Sequence, residues 1–202
     1  MSGTIICYGD SNTYGYDPCV MAGDRYPKED RWTGILERET GWKIENHGIC
    51  GRCIPHPGSQ IRFACEQLRD WQDIDAPVQL WIMLGTNDLL QERQFTAEDT
   101  AQRMEAFLQK IMAEPAVSDG KITLRLIAPA WMEYGAWVDE ERLYLESRRL
   151  GEAYRKVAER MEIEFTDAGK WEIPVVYDGV HFSEEGHHIF AQKIQEELAW
   201  LR

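Results

Sequence analysis

Short runs of apolar residues alternate along the chain with longer segments in which apolar residues recur every three or four positions. The short runs predict strands at 4–8, 42–46, 78–84, 122–128 and 164–166. The periodic segments predict helices at 31–39, 59–71, 96–113, 139–161 and from 183 onward. Strands that alternate with helices predict an α/β fold, with a parallel sheet covered by helices on both faces.

Local signals define several of the predicted boundaries. Gly41 ends the first long helix, and Pro129 closes the strand at 122–128. Thr96 and Asp99 resemble a capping box at the start of a helix. Ser59 is a candidate N-cap for the helix that runs to 71. In the last helix, the residues expected to face inward are Phe190, Ile194, Leu198 and Leu201.

Polar residues follow the predicted strands where a site is expected. In an open parallel sheet, ligands bind beyond the carboxyl ends of the strands. The segments found there are Gly9-Asp10-Ser11-Asn12, Asn46-His47-Gly48-Ile49-Cys50-Gly51-Arg52, Gly85-Thr86-Asn87-Asp88 and Asp178-Gly179-Val180-His181. Together they bring a hydroxyl, a carboxylate, an imidazole and several amide donors to one edge of the sheet.

Acyl transfer requires this set of groups. The Ser11 hydroxyl becomes a strong nucleophile only when a base takes its proton, and the His181 imidazole can do so near neutral pH. Asp178, three residues before His181, can orient the ring and stabilise its charged form. Gly51 and Asn87, with the Ser11 amide, are candidate donors to the oxyanion of the transition state.

These segments resemble the four sequence blocks of the SGNH, or GDSL-type, hydrolase superfamily. Gly9-Asp10-Ser11 resembles the nucleophile block, Gly51 the second block, Gly85-Thr86-Asn87-Asp88 the third, and Asp178-Gly179-Val180-His181 the fourth. The four blocks stand in the family's order over nearly the whole chain. One position departs from the pattern, because Asn12 stands where the family usually has Leu.

The resemblance implies a fold, a mechanism and a set of functional residues. The fold would be a flavodoxin-like three-layer α/β/α sandwich, formed by residues 1–202 as a single domain. The mechanism would be serine-dependent, without metal or other cofactor, with Ser11, Asp178 and His181 as the catalytic triad. The oxyanion hole would consist of the Ser11 amide, the Gly51 amide and the Asn87 side chain. Four segments look closer to the arylesterase and acyltransferase branch: Tyr14-Gly15-Tyr16, Arg25-Tyr26, Arg31-Trp32-Thr33-Gly34 and Gly51-Arg52.

The expected reaction is hydrolysis of small, short-acyl esters such as aryl or acetylated-sugar esters. Acyl transfer to alcohols, and a lysophospholipase or thioesterase with longer acyl preference, are the alternatives. Tyr14, Trp131 and Tyr177 are the candidate substrate-binding residues, because bulky rings after the strands would shorten an acyl pocket. The related branch includes oligomers, which makes a homo-oligomer an expectation.

Composition and charge limit the kinds of partner and the cellular location that are expected. The net charge of −13, from 35 acidic and 22 basic residues, disfavours nucleic acid and anionic membranes as partners. No apolar run approaches the roughly 18 residues of a membrane span, and no secretory signal is recognisable, so a cytoplasmic location is expected. The five cysteines include Cys50 and Cys53 in a C-x-x-C pattern near His56, for which small structural residues are favoured over a metal or redox site.

Overall fold

A parallel five-stranded sheet forms the centre of the protein. The computed structural model describes residues 3–20, 23–74 and 77–198. Its strands are β1 (Thr4–Gly9), β2 (Tyr16–Asp17), β3 (Asp24–Arg25), β4 (Lys43–Gly48), β5 (Val78–Met83), β6 (Ile122–Ala128) and β7 (Glu164–Asp167). The central sheet has the order β4-β1-β5-β6-β7 with every pair parallel, and β2 pairs with β3 in a separate antiparallel hairpin.

Helices cover both faces of this sheet. They are α1 (Ser11–Tyr14), α2 (Trp32–Thr40), α3 (Gly58–Trp71), α4 (Thr86–Gln91), α5 (Ala97–Met112), α6 (Pro115–Ser118), α7 (Glu141–Met161) and α8 (Glu184–Glu197), with 3₁₀ turns at Lys28–Asp30 and Ala168–Trp171. One core layer packs α3, α5 and α7 on the sheet, and the other packs α2 and α8. The predicted α/β fold with three layers is therefore confirmed.

Alternating side chains of the buried strands supply both core layers. In β1, Ile6 and Tyr8 face the layer of α3, α5 and α7, whereas Ile5 and Cys7 face the layer of α2 and α8. All six residues of β1 are buried, as expected for a strand covered on both faces. Strand β5 is likewise almost entirely buried, which explains why the strand at 78–84 could be predicted from a nearly continuous apolar run rather than from alternation.

Most predicted boundaries lie within two residues of the observed ones, and one capping prediction is wrong. Helix α3 begins at Gly58 with Pro57 in the N-cap position and no side-chain cap, so Ser59 does not cap it. The capping box of α5 is present, and Gly41 ends α2 in the left-handed conformation. Phe190, Ile194 and Leu198 are buried as predicted, whereas Leu201 lies outside the described residues.

The register of the strands brings their carboxyl ends together. Gly9 at the end of β1 lies beside Gly48 of β4 and Met83 of β5. The strand order reverses at β1, which has β4 on one side and β5 on the other, and such a reversal opens a crevice at that edge. The segments that follow these strands therefore meet in one place.

Candidate active site

A tight turn after β1 places Ser11 at the beginning of α1. Asp10 is the N-cap of this helix, and its Oδ1 accepts a hydrogen bond from the Asn12 amide at 3.0 Å. Gly15 ends the helix in the left-handed conformation after only four residues. Ser11 is 5% exposed, so its hydroxyl is held in a nearly dry environment at the sheet edge.

A second turn, before α8, carries Asp178 and His181. Asp178 Oδ1 accepts hydrogen bonds from the amides of Val180 at 2.9 Å and His181 at 3.0 Å. Burial raises the pKa of Asp178, but its hydrogen bonds with the His181 ring and these amides outweigh burial and lower the pKa overall. Gly179 has a φ of 82°, and a Cβ there would meet the Glu133 carbonyl oxygen at 2.0 Å, so this turn requires glycine.

Ser11, His181 and Asp178 form a hydrogen-bonded chain. His181 Nδ1 lies 2.7 Å from Asp178 Oδ2, and His181 Nε2 lies 3.0 Å from Ser11 Oγ. Because an ionised carboxylate only accepts hydrogen bonds, the neutral ring carries its proton on Nδ1. Nε2 then has a free lone pair that faces the serine hydroxyl, which is the arrangement a base needs to take that proton.

Asn12 ties the two turns together, a role the sequence did not indicate. Its Nδ2 donates to the Val180 carbonyl at 3.0 Å, and its Oδ1 accepts from the Phe182 amide at 2.9 Å. The two contacts are on either side of His181 in the chain. Asn12 therefore fixes the position of the imidazole relative to Ser11, which a Leu at the same position would not do.

Gly51, in the segment after β4, and Asn87, in α4 after β5, line the same cavity as Ser11 and His181. Gly51 adopts a φ of 74°, which other residues rarely tolerate. Asn87 Nδ2 donates to the Arg52 carbonyl at 3.2 Å and to Asp10 Oδ2 at 3.4 Å. Arg52 Nη1 in turn donates to the carbonyls of Gly9 and His47, at 3.1 and 2.6 Å. These bonds fasten the segment after β4 to the turn that carries Ser11.

Asp10 is a second buried acid of the site, beside Asp178. Burial raises its pKa to about 6, although the Asn12 amide, His181 and Arg52 oppose this rise. Its carboxylate oxygens contact the Asn12 amide and the Asn87 side chain, so it joins the turn that carries Ser11 to the helix that carries Asn87.

A cavity of about 590 Å³ opens onto Ser11 and His181. Its walls are Ser11, Tyr16, Cys50, Gly51, Asn87, Leu90, Gln91, Trp137, Val180 and His181. Tyr16 and Trp137 each approach the His181 ring edge-on, with ring centroids 4.9 and 5.0 Å away. Trp137 is 50% exposed, so part of its ring faces the opening.

The three predicted substrate-binding residues lie outside this cavity. Tyr14 is covered by the Arg25 guanidinium, which stands 4.3 Å above its ring. Trp131 lines a separate cavity beside Arg148. Tyr177 is 64% exposed, with its hydroxyl 3.5 Å from the Pro18 carbonyl.

Loop folding explains why Trp137 rather than Trp131 reaches the site. The Trp137 amide donates to the Asp178 carbonyl at 3.0 Å, and Gly135 forms a bridge with Val138. These contacts turn the loop after β6 back toward His181, which no local sequence signal indicates.

The cysteines do not gather ligands around a metal within the described part of the chain. Cys50 is exposed and Cys53 is partly buried, and both are free thiols. The side-chain ligand atoms of Cys50, Cys53 and His56 do not lie close enough together to hold one metal ion. Among the described residues, the ligand atoms that do lie close together belong to Asp30 in the first 3₁₀ turn and to Glu184 and His188 in α8. Across the described residues, no helix has the length and apolar character needed to cross a membrane.

Comparison with known families identifies the class of protein. The model of the GDSL-like Lipase/Acylhydrolase family matches residues 7–189, a range that includes every candidate site residue described above. The chain therefore belongs to this family, and the predicted SGNH resemblance is confirmed. The comparison with curated proteins gives no match.

Solved structures of esterases share the whole fold. An aryl esterase from M. smegmatis is 22% identical with a TM-score of 0.83, and Est24, a carbohydrate acetylesterase from Sinorhizobium meliloti, is 24% identical with a TM-score of 0.83. A candidate arylesterase from Agrobacterium tumefaciens str. C58 is 27% identical with a TM-score of 0.80. In all three cases 100% of each chain is covered. These likenesses establish the common architecture.

Proposed function

We propose that the protein is a serine esterase that hydrolyses small carboxylic esters with short acyl groups. The observation that carries this proposal is the continuous hydrogen-bonded chain from Ser11 Oγ through His181 to Asp178 at the wall of a cavity. Membership of a family of lipases and acylhydrolases supports the same reaction class.

Acylation begins when His181 Nε2 takes the proton of the Ser11 hydroxyl as Oγ attacks the ester carbonyl carbon. The resulting imidazolium is stabilised by the Asp178 carboxylate, which stays ionised. His181 then gives the proton to the departing alkoxide as the carbon–oxygen bond breaks, leaving an acyl group on Ser11. Water, activated by the same imidazole, hydrolyses this acyl-enzyme and releases the acid.

The amides of Ser11 and Gly51 and the side chain of Asn87 act as donors to the oxyanion. Asn87 Nδ2 is 3.2 and 3.4 Å from its present acceptors, longer than the usual N–H···O distance, so one N–H can turn toward the developing charge. A donor placed in this way contributes factors of about 10²–10³ to turnover.

The shape of the cavity favours short acyl groups. Its volume of about 590 Å³ is shared by the acyl and alcohol parts of the substrate, and Leu90 and Gln91 at the end of α4 are among its walls. The structural neighbours described as an aryl esterase and a carbohydrate acetylesterase support small esters with a ring-containing alcohol.

Steady-state kinetics of the Ser11→Ala variant on p-nitrophenyl acetate tests the reaction. We expect turnover to fall by about 10⁴–10⁶-fold, because the nucleophile is lost. Ser118→Ala is the matched control, since Ser118 is exposed at the end of α6. A Ser11→Ala protein with wild-type circular dichroism and a tenth or more of wild-type activity would refute the proposal.

A series of p-nitrophenyl esters tests the acyl length. We expect kcat/KM to be highest for acetyl and propionyl esters and to fall steeply at octanoyl, because a filled pocket excludes further methylenes. A maximum at octanoyl would instead favour the lysophospholipase or thioesterase alternative and would leave the roles of Ser11 and His181 intact.

A further inference from the structure

A second cavity lies directly beside the first. It has a volume of about 530 Å³ and is lined by Tyr8, Ile49, Cys50, Gly51, Arg52, Cys53, Pro55, His56, Ser59, Gln60, Phe63 and Gln91. Cys50, Gly51 and Gln91 also line the cavity that contains Ser11. These three residues are therefore the partition between the two spaces.

One side chain closes this partition. Gln91, the last residue of α4, donates from Nε2 to the Gly51 carbonyl at 3.2 Å. This hydrogen bond joins the end of α4 to the segment after β4. Gln91 is exposed, and the contact is long, so removal of the side chain leaves the backbone of both segments in place.

The partition stands on the acyl side of the site. In the mechanism proposed above, His181 protonates the leaving alkoxide, so the alcohol must lie near His181, Tyr16 and Trp137. The acyl chain points away from the alcohol, and the walls left for it include Leu90 and Gln91, the latter hydrogen-bonded to the oxyanion-side residue Gly51. Beyond Gln91 is the second cavity.

The second cavity offers apolar surface to an alkyl chain. Ile49 and Phe63 are 51% and 55% exposed, although both are large hydrophobic residues. Tyr8 and Pro55 add further apolar wall. A linear acyl chain that passed Gln91 would cover these side chains and remove them from water, which favours binding in proportion to the apolar area buried.

We propose that the second cavity is a latent extension of the acyl site and that Gln91 determines acyl length by closing it. The ligand class is a linear, medium-length acyl group, hexanoyl to octanoyl, presented as an ester. The inference rests on the proposed esterase function of Ser11. With the Gln91 side chain in place only short acyl groups fit. Without it, the acyl chain of the substrate extends into the second cavity.

The test compares kcat/KM for p-nitrophenyl octanoate and acetate in wild-type and Gln91→Ala proteins. Each methylene buried contributes about fourfold to binding, so we expect the octanoate-to-acetate ratio to rise about tenfold or more in Gln91→Ala. Gln94→Ala is the matched control, because Gln94 is an exposed glutamine three residues further along that lines neither cavity, and its ratio should equal that of wild-type.

A second substitution assigns the gain to the second cavity. Ser59→Phe places a ring in that space, so adding it to Gln91→Ala should return the ratio toward the wild-type value. An unchanged ratio in Gln91→Ala, a gain that survives Ser59→Phe, or a wild-type preference for octanoate would each overturn the inference. A wild-type protein that does not cleave p-nitrophenyl acetate, or a Ser11→Ala variant that still does, would instead refute the esterase proposal itself.

Discussion

At the scale of single residues, the departure of Asn12 from the family pattern has a structural explanation. The family usually has Leu after the nucleophile, a residue that could only pack. In this chain the Asn12 side chain satisfies the Val180 carbonyl and the Phe182 amide, one on each side of His181. Asn12 therefore links the turn that carries His181 to the turn that carries Ser11 by hydrogen bonds instead of by packing.

Replacing Asn12 should affect both stability and turnover. Asn12→Leu leaves a buried carbonyl and a buried amide without their partner, each at a cost of about 1–3 kcal/mol. It also frees the turn that holds His181, so kcat should fall while KM changes little. Urea unfolding and steady-state kinetics measure the two effects. Wild-type stability and kcat in Asn12→Leu would show that the link has no role.

At the scale of secondary structure elements, the capping box formed by Thr96 and Asp99 fixes the residue at which α5 begins. The Thr96 side chain accepts from the Asp99 amide at 3.1 Å, and Asp99 Oδ2 accepts from the Thr96 amide at 3.0 Å. Thr96→Ala should lower the free energy of unfolding by about 1 kcal/mol with unchanged kcat, because the cap is remote from Ser11. Thr96→Ser keeps the hydroxyl and should match wild-type in chemical denaturation. Equal stability of the Ala and Ser variants would contradict this assignment.

Sequence patterns predicted the long elements and missed the short ones. The central strands and the helices α2, α3, α5, α7 and α8 have enough residues for periodicity or apolar character to be read. Helices α1, α4 and α6 have four to six residues and the hairpin strands two, which is too short for either pattern. Ser59 failed as a cap because Pro57 already fixes an extended backbone at that helix start.

The candidate site was predictable to the extent that its groups sit at strand ends. Ser11 and Asn87 come shortly after β1 and β5, so the sheet brings them together. The turn from Asp178 to His181 lies well beyond the end of β7, shortly before α8, and was predictable from its position before that helix rather than from a strand end. The cavity walls depend on how loops fold back. Trp137 reaches His181 through backbone contacts with the 178–179 turn, and Gln91 reaches Gly51 from the end of a helix too short to predict.

At the scale of the whole molecule, two buried side chains, His187 and Asp10, make the free energy of unfolding depend on pH in opposite directions. Burial lowers the pKa of His187, a residue of α8 whose Nδ1 accepts from the Trp32 amide, to about 3, with His188 and Arg31 adding to the effect. The unfolded chain binds this proton below about pH 6.5, but the folded chain does not until about pH 3. His187 therefore destabilises the fold progressively as the pH falls from about 6.5 toward 3.

Asp10 has the opposite effect, because burial raises its pKa to about 6 and the folded chain holds its proton over a range in which the unfolded chain has lost it. Asp10 therefore destabilises the fold as the pH rises from about 4 to 6.

Substitutions separate the two contributions. Relative to His187→Asn, wild-type should lose stability at up to about 1.4 kcal/mol per pH unit as the pH falls below about 6.5. Relative to Asp10→Asn, wild-type should gain stability as the pH falls from about 6 to 4, at a similar slope. Urea unfolding at several pH values gives these differences. Differences that do not vary with pH would show that neither group has a shifted pKa.

Covalent labelling is the most direct test of the central claim that Ser11 is the nucleophile. Diethyl p-nitrophenyl phosphate forms an Oγ–P bond with an activated serine and releases p-nitrophenolate. We expect one diethylphosphoryl group per chain, located by peptide mass spectrometry on Ser11, and none on Ser11→Ala. His181→Ala should be labelled far more slowly, because the base is missing. Labelling of another residue that lines the same cavity, such as Cys50, with Ser11 unmodified, would contradict the account.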